Sequence, residues 1–226
     1  MPLALLLILV SITSSCTRAL PEILAVSTRI VRTDASLDAE YAQKESAASG
    51  TGINEYLSFF CMVRDEDGII DLEELWLVND SEELYWHLDS SQWLWIEHSG
   101  ENWLGSHELR MPNGAPFPAG SWRVLLSDKA GERAERSFIL KIPSSWPEAP
   151  NLLIEGDTYT LQSSWARHQL IAYDEGGGRV KVQEVEEKSG RVRNLKLPET
   201  TRTIALWAED IDGIGGILTP SVPYTR

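Results

Sequence analysis

Between residues 22 and 220 the apolar side chains recur with a period of two, in short runs broken by Gly, Pro, Asn, Asp and Ser. That period lays one apolar face along an extended strand, so the pattern predicts an all-β chain. Leu24, Val26, Thr28 and Ile30 alternate with Ala25, Ser27 and Arg29 and predict a first strand. Over 55–63, Leu57, Phe59, Cys61 and Val63 share one face while Tyr56, Phe60 and Met62 occupy the other. A strand apolar on both faces belongs in the middle of a structure, covered from both sides. Shorter strands are expected at 72–78, 84–88, 92–97 and 103–109, the last two joined through Ser99-Gly100-Glu101-Asn102. A further hairpin spans 121–142. Trp122, Val124 and Leu126 face one way, Asp128-Lys129-Ala130-Gly131 turns the chain, and Phe138, Leu140 and Ile142 return on the same face. The stretch 34–52, rich in Ala, Ser, Glu and Gly, predicts a long exposed loop.

Ser144-Ser145-Trp146-Pro147-Glu148-Ala149-Pro150 reads as a linker stiffened by two prolines. It divides a first module, 21–143, from a second, 151–226. In the second, strands are expected at 152–155, 158–162, 168–173, 179–185, 191–197, 203–209 and 216–220, with breaks at Gly176-Gly177-Gly178 and Lys188-Ser189-Gly190. Both modules end on a Trp-bearing strand, an Asp, a Gly turn and a returning strand. These are Trp122 to Gly131 in one and Ile204 to Gly213 in the other, the latter followed by Gly215-Gly216 and Thr219-Pro220-Ser221. This resembles the closing hairpin of immunoglobulin-like and fibronectin-III-like domains. The resemblance implies two tandem immunoglobulin-like β-sandwich domains, 21–143 and 151–226, and carries no activity of its own.

The N-terminus says where such a body works. Leu3-Ala4-Leu5-Leu6-Leu7-Ile8-Leu9-Val10 is unbroken apolar sequence, followed by Ser11-Ile12-Thr13-Ser14-Ser15 and then Cys16. The run is shorter than the roughly 20 residues that span a bilayer and fits the core of a signal peptide. Small residues before a cysteine resemble the lipobox of bacterial lipoproteins, in the looser form of the spirochaetal ones. Thr13 and Ser15 stand where the usual box has Leu and Gly or Ala, and Met1-Pro2 carries no Lys or Arg. The resemblance implies a signal peptide at 1–15, a lipid-anchored N-terminus at 16–20 with the acyl group on Cys16, and a place in the cell envelope. Cys61 would then be the one remaining thiol of two cysteines, without a disulfide partner, and its setting in Phe59-Phe60-Cys61-Met62-Val63 reads as a buried small hydrophobe.

Thirty-four acidic against 20 basic residues give a formal net charge of -14. That argues against nucleic acid, whose phosphates are bound by Lys and Arg, and against electrostatic docking on anionic lipid. The acyl chain is therefore the expected membrane contact. No cofactor motif is present: there is no phosphate loop, nucleophile elbow or zinc-protease helix.

The tryptophans are the best functional candidates. Six of nine lie in the first module: Trp76, Trp86, Trp93, Trp95, Trp103 and Trp122. In Gln92-Trp93-Leu94-Trp95-Ile96-Glu97, alternation puts Trp93 and Trp95 on one face and Leu94 and Ile96 on the other. Either both faces are covered or one is an adhesive surface. Trp86, Trp93, Trp95 and Trp103 are accordingly the candidate surface for a protein partner, with stacking on a glycan as the alternative and core filling as the competing reading. With a hairpin tip at Gly100-Glu101, His98 faces Trp103 and His107 faces Leu94, about 13 Å apart and too far to share a zinc. The turns Asp65-Glu66-Asp67-Gly68 and Asp210-Ile211-Asp212-Gly213 offer carboxylates to calcium, but Asp and Gly are equally the ordinary chemistry of tight turns. The expectation is a non-enzymatic envelope protein that binds or scaffolds through the Trp-rich strands. A glycan- or peptidoglycan-binding module and a hydrolase with an unassembled site are the alternatives.

Replacing Cys16 by Ala is expected to abolish metabolic acyl labelling and to release the protein from membranes. Unchanged labelling would refute the anchor.

Overall fold

The computed structural model describes residues 19–34 and 53–224. The expected signal peptide, Cys16 and most of the 34–52 loop lie outside the described residues. The described chain is all-β, with sixteen strands in three sheets and only short 3-10 turns between them.

The first strands, β1 (Glu22–Asp34) and β2 (Ile53–Arg64), pair antiparallel along their whole length. Val26, Thr28 and Ile30 oppose Cys61, Phe59 and Leu57 on the core side. The register shifts between Ile23 and Ala25, so Leu24 is the bulged residue and Ile23, opposite Val63, takes the core position in its place. Leu57, Phe59, Cys61 and Val63 are buried, as are Tyr56 and Phe60 on the other face, which is the two-sided cover that the sequence of β2 requires. Next come β3 (Leu72–Asn79), β4 (Leu84–Asp89), β5 (Leu94–His98), β6 (Glu101–Leu109), β7 (Gly120–Asp128) and β8 (Arg133–Leu140). Strands β4-β3-β7-β8 make a four-stranded sheet whose inner face meets β1, β2 and β6. Trp122, Phe59, Phe117, Leu75, Leu77 and Leu126 are the large buried side chains between them. Ile142, expected on the core face of the returning strand, lies beyond β8 and is exposed.

The second half contributes β9 (Asn151–Glu155), β10 (Thr158–Gln162), β11 (Arg167–Tyr173), β12 (Arg179–Glu184), β13 (Ser189–Arg191), β14 (Thr203–Glu209), β15 (Gly215–Leu218) and β16 (Val222–Pro223). The strand expected over 191–197 is instead the end of β13 and a 3-10 turn, Val192–Leu195, which still buries Val192 and Leu195. Its own core gathers Leu152, Tyr159, Leu161, Leu170, Ile204 and Leu206.

The two halves share one sheet. β1 pairs β2 on one edge and β15, in parallel, on the other, so nine strands run in the order β12-β11-β14-β15-β1-β2-β6-β5, with β16 on β14. The joint is clamped by side chains. Arg29 reaches the buried carboxylate of Glu209 at 2.8 Å and lies over the Trp207 ring. Arg32 pairs with Glu55 at 3.0 Å and stacks on Trp146 of the proline-rich segment, its guanidinium 3.9 Å from the ring centroid. Trp146 in turn contacts Trp165, whose indole donates to the carbonyl of Glu148 at 2.9 Å.

Cys61 is fully buried, and its thiol donates to the carbonyl of Leu104 at 3.5 Å. Burial pushes its pKa up to about 12, so it is a packed hydrophobe and not a nucleophile at neutral pH.

At Gly216, opposite Val31 in the joint, a Cβ would strike the Trp207 ring and stand 2.8 Å from the carbonyl oxygen of Ala208. Gly216→Ala is expected to destabilise by about 1–3 kcal/mol, the cost of forcing a packed ring aside. Chemical denaturation checks it, and wild-type stability would show that the indole swings freely.

Candidate binding surface

The hairpin joining β5 and β6 turns on Ser99 and Gly100, both in the left-handed region at φ 55° and 80°. Two consecutive left-handed residues make the tight two-residue turn whose twist suits antiparallel strands. His98 therefore pairs with Glu101, Ile96 with Trp103, Trp95 with Leu104 and Leu94 with Gly105. The tip lies one residue earlier than Gly100-Glu101, which corrects the expected facing of His98 with Trp103 and of His107 with Leu94.

This register sorts the four candidate tryptophans. Trp95 shares the face of Leu104, which is in the core, but β5 is the last strand of the sheet and its ring overhangs the edge. It is 54% exposed, and its indole donates to Asn102 Oδ1 at 2.9 Å. Trp93 precedes the strand, sits half-buried against the first core, and its backbone N–H donates to the carbonyl of Asp89. Trp103, half-buried, lies on the opposite face from Trp95, between Met62 on β2 and Ile96 on β5. Trp86 packs against the core, its ring 5.6 Å from both Phe117 and Trp122 and its indole donating to the carbonyl of Arg110. Trp93 and Trp95 thus do not form a flat pair, and the four residues do not share one surface.

The structure brings together a different set, along β5 itself. All five residues of β5 are exposed, including Leu94 at 46% and Ile96 at 39%. In an antiparallel ladder, bonded and non-bonded pairs alternate. With His98 and Glu101 closing the turn, Ile96 and Leu94 bond inward to β6, and the backbone groups of Trp95 and Glu97 point outward from the sheet edge. On the outer face, Leu94 and Ile96 continue into Trp103, Met62 and Phe60 across Gly105.

The histidines serve other neighbours. His107 Nδ1 lies 3.1 Å from Ser58 Oγ and its ring packs on Phe60, and burial holds its pKa below the usual range. His87 stacks on Trp76 at 4.2 Å. Of the acidic turns, Asp210 accepts from the backbone N–H groups of Ile214 and Gly215, which is turn chemistry. Carboxylate oxygens of Asp65, Asp71 and Asp128 lie within 4.8 Å of one another, so Asp65 meets Asp71 and Asp128 from elsewhere in the chain. Burial, then the neighbouring carboxylates, raise the Asp65 pKa. Oδ1 of Asp128 accepts from the N–H groups of Ala130 and Glu132. One pair was invisible in the sequence pattern. His168 Nε2 lies 2.7 Å from Ser163 Oγ, beside Lys188, whose ammonium donates to the Ser163 carbonyl. Burial and then Lys188 lower the His168 pKa. Among the described residues no carboxylate is hydrogen-bonded to that ring.

No family model matches the chain, and no curated protein matches it in sequence. Among the solved structures similar to it are two of low identity. One is Tp47, the 47-kilodalton lipoprotein of Treponema pallidum, at 11% identity and a TM-score of 0.43, over 88% of this chain and 50% of that one. The other is dimeric latent PorU of Porphyromonas gingivalis, at 11% identity and a TM-score of 0.35, over 90% of this chain and 20% of that one. The chain thus spans half the length of the first and a fifth of the second.

Truncating Trp86 and Trp95 should separate core from surface. Trp86→Ala is expected to cost about 3 kcal/mol or more, and Trp95→Ala less than about 1 kcal/mol. Equal losses in thermal or chemical denaturation would place Trp95 in the core.

Proposed function

We propose that this is a non-enzymatic lipoprotein of the cell envelope, held at a membrane through Cys16, that captures an extended segment of a protein partner along β5. The body consists of two immunoglobulin-like modules, 21–143 and 151–226, joined through β1. The observation that carries the reading is the open edge: five exposed residues, three of them large and apolar, with the backbone groups of Trp95 and Glu97 directed outward. Uncovered edges of this kind template strand addition, and folded proteins ordinarily protect them with Lys, Pro or a covering element. β5 carries neither Lys nor Pro. An added strand would gain main-chain hydrogen bonds at the edge and bury Leu94, Ile96 and Trp95 against its own alternate side chains. Asp89, Glu97 and Glu101 lie on or beside the hairpin in a chain of net charge -14, which favours a basic, apolar strand over a second copy of this chain.

A photo-crosslinking residue in place of Trp95 tests this in intact cells. The expected result is one envelope protein, joined through an extended basic segment, and loss of the crosslink in Glu97→Pro, which removes an outward N–H without touching the β5–β6 ladder. Indiscriminate crosslinking, or a crosslink indifferent to Glu97→Pro in a folded variant, would overturn the reading.

A further inference from the structure

The outer face of the four-stranded sheet, a different sheet from the one that ends in β5, carries a second site. Its strand register can be read as rows. Asp89, Glu74, Ser127 and Arg133 lie in one row across β4, β3, β7 and β8; His87, Trp76, Leu125 and Glu135 form the next; Tyr85, Val78, Arg123 and Ser137 form the third. A cleft of about 270 Å³ opens in this grid, lined by Glu74, Trp76, Val78, Leu125, Ser127 and Arg133. A water-exposed sheet face normally presents polar side chains. Here a half-buried indole and two aliphatic side chains form a floor, and polar groups close one end.

The indole is held in place. Its Nε1–H donates to Glu74 Oε2 at 3.3 Å, and the other carboxylate oxygen of Glu74 lies 3.6 Å from His87 Nε2. The His87 ring stacks on the Trp76 ring from the β4 side, and Tyr85 packs against it at 5.9 Å. These contacts leave the β7 side of the indole toward the cleft. The remaining charges on the face satisfy one another. Arg123 makes two hydrogen bonds to Asp80, at 2.6 and 2.9 Å, and one to Glu135, and Arg123 holds the Asp80 carboxyl below its usual range. Arg133 is different: among the described residues no ion pair or side-chain hydrogen bond engages it.

We propose that this cleft binds a neutral saccharide, one pyranose ring lying with its C–H face on Trp76. The recognition set fits that chemistry. A fixed aromatic wall takes an apolar ring face, while an Arg donor, a carboxylate acceptor and a Ser hydroxyl at one end match a rim of hydroxyls that both donate and accept. The volume is below the range usual for drug-sized ligands and suits one ring of a longer chain. A single charge of each sign at the cleft end selects no net charge in the ligand. This site is independent of β5 and does not rest on strand capture.

Calorimetric titration of the full chain with chitotetraose, maltotetraose and tetragalacturonate tests the proposal. Saturable binding of a neutral tetrasaccharide is expected, with Kd tighter than about 1 mM. Trp76→Ala should weaken it about tenfold or more, Trp76→Phe less, and Arg133→Gln several-fold at an unchanged melting temperature. Trp95→Ala should leave it unchanged, which separates failure here from failure of strand capture. Absence of saturable binding to all three sugars up to about 10 mM would overturn the proposal. So would preference for the acidic sugar, or affinity indifferent to Arg133→Gln, the variant that decides if Trp76→Ala does not fold.

Discussion

β1 is the constraint on which the rest depends. A strand at the start of a β-rich chain ordinarily has one neighbour near it in sequence and a free edge. Here the free edge is filled by β15, from the far end of the chain, in parallel register over Ile30 to Thr33. Both rows of backbone donors and acceptors over that stretch find partners, as an extended strand within a structure requires. The clamp is built from the same strand, since Arg29 and Arg32 reach Glu209 and Glu55 while covering Trp207 and Trp146. Glu209 is buried, and a buried carboxylate is tolerable only while its cation stays. The two cores are separate clusters of side chains, and β1 is the strand that joins β15 to β2 in the sheet they share.

Tryptophan does three different jobs in this chain. Trp122 and Trp86 fill the first core, each with its N–H satisfied by a backbone carbonyl. Trp146, Trp165 and Trp207 hold the joint. Trp76 and Trp95 are partly exposed, each tethered through its indole nitrogen to a neighbouring polar side chain, Glu74 and Asn102. A tethered indole loses little further freedom when something lies against it, so the proposed contacts at those two rings would cost little ordering.

The strands themselves were legible because period two is a local property. β2, β3, β10 and β14 fall within a residue or two of their expected bounds, since alternation and turn residues specify both. What escaped was whatever depends on pairing. A bulge exchanges Leu24 for Ile23 in the core. A tip one residue earlier resets every pair of the β5–β6 hairpin. Val192 and Leu195 satisfy a strand-like apolar pattern from a 3-10 turn, because burial asks only that the side chains point inward. The parallel joint of β1 with β15 brings together segments from opposite ends of the chain and leaves no periodic trace. The same limit explains the sites. Trp93 and Trp95 are two apart in sequence, yet one is half-buried and the other overhangs. Trp76, Leu125 and Arg133 come from three strands and meet only through cross-strand register.

The placement of β1 also fixes how the molecule bears load. A pull on the residues preceding Glu22 acts along the axis of β1, parallel to its ladders with β2 and β15. Such a force loads the interstrand hydrogen bonds in shear, many at once, instead of peeling them one after another. Strand β5, at the outer end of the same sheet, is attached to β6 by a single short ladder and opens from its end. A body tethered ahead of β1 and gripped at β5 would yield at the grip long before it yields at the tether.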